Sequence, residues 1–83
     1  MDKLNLMASF IAVAEEGTYT AAGKRLGKST PLISTHISQL EELLDVRLIT
    51  RSTRSLQLTP TGQSYYEEAK KVMDDISTLE ARV

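Results

Sequence analysis

Ser29-Thr30-Pro31-Leu32-Ile33-Ser34-Thr35-His36-Ile37-Ser38-Gln39-Leu40-Glu41-Glu42-Leu43-Leu44 is the stretch that decides the fold. A hydroxyl residue with proline two positions on predicts a helix that starts at 30. Ile33, Ile37, Leu40 and Leu44 recur at steps of four, three and four, which makes one core-facing stripe over 30–44. The opposite face shows Pro31, Ser34, Thr35 and Ser38, with His36 and Gln39 beside it and no charge before Glu41-Glu42. A face that only meets water is better served by Lys and Glu, which hold a helix more readily than Ser and Thr. Short, uncharged side chains there predict a contact surface.

Working outward, Leu4, Met7, Phe10, Ile11, Val13 and Ala14 mark an earlier helix, with Asp2 as its cap and Gly17 as its stop. Thr20 reads as the cap of a two-turn helix over 21–26, stopped by Gly27. Gly23 inside it costs about 1 kcal/mol of helix propensity, so a second helix packing closely there is the expected reason. Downstream, Arg47-Leu48-Ile49-Thr50-Arg51 and Leu56-Gln57-Leu58 flank a polar tip, the pattern of a short hairpin carrying Arg51 and Arg54. Thr59-Pro60 repeats the cap-then-proline signal and opens a last helix. Within it Tyr65, Ala69, Val72, Ile76, Leu79 and Val83 step by four and three, a heptad seam. A helix from 60 to 83 would be about 36 Å long at 1.5 Å per residue. An 80-residue body cannot cover that whole stripe, so the seam is expected to meet a partner chain.

Composition narrows the function classes. Eighty-three residues, 41% hydrophobic and 25% charged, suit one small globular body. With no cysteine and a single histidine, neither a disulfide framework nor a zinc site is expected, and no cofactor is implied. The longest apolar run, Phe10 to Ala14, is far too short for a membrane span, and the N-terminus lacks a signal-peptide pattern. A cytoplasmic location follows as the expectation. Net charge is −1, but it is unevenly spread: −2 over residues 1–19, +3 over 20–54 and −2 over 55–83. A basic middle can meet a polyanion while the whole chain stays near neutral. Glu15 and Glu16 are adjacent and so share no helix face; they read as solvated, not as a catalytic pair. Arg47 is expected to pair with Glu42 or Asp45. No nucleophile–base pair, phosphate loop or metal spacing is present, so an enzyme is not expected. A three-helix core plus an arginine-tipped hairpin predicts a mainly α winged helix-turn-helix, which could bind DNA or serve as a protein-binding adaptor.

The motifs in order carry a resemblance. Glu15-Glu16-Gly17-Thr18-Tyr19-Thr20, the small-residue helix ending at Leu26, Ser29 to Ser34, Ile37 to Glu41, Val46-Arg47-Leu48, Arg51 to Arg54 and Leu58 to Gly62 resemble the N-terminal domain of LysR-type transcriptional regulators. The match runs through essentially the whole chain without gaps. It implies a DNA-binding body over 1–59 and a linker and dimerisation helix over 60–83, with a ligand-sensing domain beyond. A small-molecule effector would act only through that further domain, and the longer protein would form higher oligomers. Helix 30–44 is then expected in the major groove and the wing 48–58 on the minor groove and backbone, with a dimer on an inverted repeat. DNA contacts are expected from Thr20, Lys28, Ser29, Thr30, Pro31, Ser34, Thr35, His36, Ser38, Arg51, Ser52, Thr53 and Arg54. Ser29 reads equally as a cap, Thr59 as a cap alone. His36 reads either as a packing residue or, beside Thr35, as a contact to phosphate or base; the second is the expectation. Thr30 and Thr35 stand where the family often has Gln and Arg, Gly23 where Ala is usual, and Asp45 where Gly is common. Tyr65, Ala69, Val72, Ile76, Leu79 and Val83 are expected at the dimer contact.

Overall fold

A computed structural model describes residues 2–51 and 56–83. Four helices and a two-stranded hairpin follow in the order α1 (Lys3–Glu16), α2 (Tyr19–Leu26), α3 (Thr30–Leu44), β1 (Ile49–Arg51), β2 (Leu56–Leu58) and α4 (Pro60–Ala81). The expected architecture is the observed one. The Asp2 carboxylate accepts from the Leu4 N–H at 3.1 Å and opens α1, and Ser29 and Thr59 cap α3 and α4 in the same way. The α2 cap is Thr18, not Thr20: its Oγ1 accepts from the Ala21 N–H at 3.0 Å. Starting the helix at 19 brings Tyr19 into it, where its ring packs on the core.

The core is built where α1, α2 and α3 meet. Leu6, Phe10, Val13, Ala22, Ile33, Ile37 and Leu40 are all buried, joined from the hairpin by Leu48 and Ile49. Burying a large apolar side chain contributes roughly 1.5–3 kcal/mol, so this small set of contacts holds the three helices. The hairpin is antiparallel, pairing Ile49 with Leu58, Thr50 with Gln57 and Arg51 with Leu56.

Two close approaches fix how the elements join. At Gly62 in the first turn of α4, a Cβ would lie 2.0 Å from the Leu48 carbonyl oxygen, so only glycine lets α4 start against the hairpin. At Gly23 a Cβ would lie 2.5 Å from the Lys28 carbonyl oxygen. The chain entering α3, not a second helix, therefore demands that glycine. The same turn closes with the Lys28 N–H donating to the Gly23 carbonyl at 2.8 Å.

The α4 helix lies on α1 through Tyr65, Ala69 and Met73. Ala69 is 2% exposed between Met7 and Ile11, and the Tyr65 ring centroid is 5.6 Å from that of Phe10. Tyr65 and Ala69, expected at a dimer seam, therefore pack inside their own chain. The small Ala69 side chain lets α1 approach, and the stripe that serves this contact overlaps the start of the heptad seam. Further along, Val72, Leu79 and Val83 are exposed and Ile76 is half-buried.

Glu15 and Glu16 are not simply solvated. Arg25 Nη1 meets Glu15 at 2.7 Å and Glu16 at 3.3 Å, the Tyr66 hydroxyl donates to Glu15 at 2.7 Å, and Lys70 lies 3.5 Å away. This cluster ties α1, α2 and α4 together. The Tyr66 hydrogen bond, then Arg25 and Lys70, hold the Glu15 carboxyl below its ordinary pKa.

Candidate nucleic-acid interface

The surface of interest is the first half of α3. The Ser29 Oγ accepts from the Leu32 N–H at 3.2 Å, and Pro31 occupies the first turn, where no N–H is needed. Thr30, Pro31, Thr35 and Ser38 are exposed, and Ser34 is half-buried and engaged within the chain. At 100° per residue Pro31, Thr35 and Ser38 share one side, opposite Ile33, Ile37 and Leu40. They form an uncharged, hydroxyl-rich strip of the shape and chemistry that base edges accept.

Cations border the strip unevenly. Lys28, half-buried as a residue, has its ammonium on the Asn5 side-chain oxygen. Lys24 is exposed on α2, whereas Arg25 is taken up by Glu15 and Glu16. Thr20 is exposed on the first turn of α2. No ion pair among the described residues joins Arg47 to Glu42 or Asp45. Ser52, Thr53 and Arg54 lie outside the described residues, as does the Arg51 side chain.

His36 corrects the expectation. It is 8% exposed, and its Nδ1 is 2.7 Å from the Oγ of Ser9, itself wholly buried on α1. One step past Thr35 carries it about 100° round the helix, to within roughly 60° of Ile33, where a ring is drawn inward. Burial, and after it the Lys28 ammonium, push its pKa below the ordinary imidazole value. The ring points inward onto Ser9, where sequence reasoning expected it to face a phosphate or base, and its lowered pKa disfavours the charged form.

Sequence reasoning also missed Glu41. Its Oε2 accepts from the backbone N–H groups of both Leu48 and Ile49, at 2.8 and 3.1 Å. The last turns of α3 thereby hold the root of the hairpin. Thr59 completes the clamp, its hydroxyl donating to the Arg47 carbonyl at 2.6 Å while its N–H donates to the Leu48 carbonyl at 3.0 Å. A lone Glu at a helix end carries no signal that would have revealed this.

Three helices with a polar third, and a hairpin clamped to its end, define a winged helix-turn-helix domain. Residues 4–63 match the family model of bacterial regulatory helix-turn-helix proteins of the lysR family, and the chain belongs to that family. Over 98% of its length it is 41% identical to the HTH-type transcriptional repressor PA14_22550 of Pseudomonas aeruginosa, covering 26% of that protein. Over 95% it is 38% identical to the transcriptional activator AaeR of Escherichia coli, again covering 26%. The chain thus spans about a quarter of the curated relatives it matches. Among solved structures, the BenM DNA-binding domain with benA site 1 DNA superposes at a TM-score of 0.92 and 32% identity, covering 99% of this chain and 91% of that one. The CbnR DNA-binding domain in its DNA complex gives 0.89 and 36%, covering 99% and 93%. No helix among the described residues is long and apolar enough to cross a membrane.

Proposed function

We propose that this domain binds duplex DNA sequence-specifically, as the DNA-binding part of a LysR-type regulator in the bacterial cytoplasm. The observation that carries the reading is the uncharged strip of Pro31, Thr35 and Ser38 exposed along α3, with Thr30 exposed at the helix start. In the major groove these side chains offer hydroxyls to base edges and apolar groups to thymine methyls. Thr20, Lys28 and Ser29 flank them at the phosphates, with Ser34 beneath the strip. The wing over 48–58, through Arg51, Ser52, Thr53 and Arg54, takes the minor groove and backbone. That two family members at 32% and 36% identity were solved on DNA supports this placement.

Residues 1–59 make the reading body and 60–83 the linker helix. Two copies associate through the exposed part of α4, Val72, Ile76, Leu79 and Val83, and so present two α3 helices to an inverted repeat. No chemistry on a bound substrate is part of this role, and a small-molecule effector would act through a domain beyond this one. Selection of bound fragments from genomic DNA with the purified chain tests the proposal. A recurrent motif with two-fold symmetry is the expected result; fragments with no common sequence would overturn it.

A further inference from the structure

Ser9 and His36 form a buried polar pair that the DNA contacts proposed above do not use. Ser9 is 0% exposed, His36 is 8% exposed, and 27 residues separate them in sequence. We propose that His36 is a positioning residue for base reading. By its hydrogen bond to Ser9 it fixes the rotation of α3 on α1, hence which bases Thr30, Pro31, Thr35 and Ser38 meet, and it touches no base itself. The inference rests on the DNA-binding reading above.

Around this pair the two helices meet through buried apolar side chains, among them Leu6, Phe10, Ile33, Ile37 and Leu40. Apolar burial selects the face of α3 that turns inward, but being non-directional it resists a further turn of about 20° less sharply than a hydrogen bond does. A hydrogen bond weakens steeply when bent or stretched, and a buried one has no water to replace it. Turning α3 by about 20° would shift side-chain tips, roughly 6 Å from the helix axis, by about 2 Å. That exceeds what a base contact tolerates. Asn5, one turn before Ser9 on the same face of α1, receives the Lys28 ammonium at the entry to α3. The two ties therefore grip the helix at its start and at its middle. An imidazole kept neutral by burial suits this role and not that of a phosphate-binding cation.

The test uses a duplex selected by the unaltered chain and a scrambled duplex of equal length, in one buffer. Ser9→Ala and His36→Leu should each lower discrimination between them by about tenfold, the effect of one mismatched base pair. Binding to the scrambled duplex should stay within about twofold, because no phosphate contact is lost. His36→Asn, which returns an acceptor near the Nδ1 position, should restore most of the discrimination. Combined with Ser9→Ala, His36→Leu should add little. Circular dichroism checks each variant, and Ser9→Ala carries the test should His36→Leu not fold. Unchanged discrimination in Ser9→Ala overturns the proposal. So does a loss on all duplexes with His36→Leu alone, which would make His36 a direct contact. An unaltered chain that selects no duplex overturns the DNA-binding reading itself.

Discussion

Single residues set the strain and the charge states of this domain. Asp45 ends α3 with φ 55°, a left-handed conformation that glycine adopts without cost and that other residues rarely hold. Its carboxylate also sits at the negative end of the helix dipole. Asp45→Gly should therefore stabilise the fold by about 0.5–1 kcal/mol, read as a melting temperature several degrees higher. The opposite outcome is expected at Gly62, where a new Cβ would strike the Leu48 carbonyl at 2.0 Å. Gly62→Ala should cost about 2–3 kcal/mol or more, despite alanine's better helix propensity, because backbone must move on both sides. His36 gives a pH dependence. Its folded pKa lies below the unfolded value of 6.5, so its contribution is complete above pH 6.5 and is lost as pH falls from there towards the folded pKa. Between pH 7.5 and 5.5 the unaltered chain should lose more thermal stability than His36→Asn.

Elements show which parts of the molecule were legible in the sequence. The stripes of α1 and α3, the cap-then-proline starts and the hairpin all follow from local patterns, since each is a property of neighbouring residues. The α2 cap slipped from Thr18 to Thr20 because both are good caps, and only the packing of Tyr19 decides between them. Spacing alone sets His36 within about 60° of Ile33, but its partner Ser9, in a helix 27 residues earlier, was hidden. The Glu41 clamp was equally hidden. Glu41→Ala would leave the N–H groups of Leu48 and Ile49 without their acceptor and should cost about 1–3 kcal/mol. Hydrogen exchange at those two amides should rise with it. In α4 the heptad spacing was readable, but not that one side of the helix would be spent on α1. Leu79 is 67% exposed, so Leu79→Asp should leave the melting of the body unchanged while shifting sedimentation towards monomer.

At the scale of the whole molecule, a chain of net charge −1 is expected to bind a polyanion because its charges are sorted, not because they are in excess. Arg25 is spent on Glu15 and Glu16, which leaves Lys24, Lys28 and the wing for phosphates. Neutralising four phosphates would lower affinity by roughly a hundredfold between 50 and 200 mM salt, and a titration over that range checks it. The molecule is also elongated, 45 Å along its major axis against 26 and 22 Å across. Its 22-residue α4 is about 33 Å long and is held from Tyr65 to Met73, with Glu15 receiving the Tyr66 hydroxyl, while its last turns stand clear. Mechanically this is a lever with its fulcrum at the body. A tilt of about 5° at the Glu15 cluster would swing the far end, about 22 Å beyond Tyr66, by about 2 Å. A displacement of the tip would reach the body reduced, with the force behind it increased, as a small, stiff rotation.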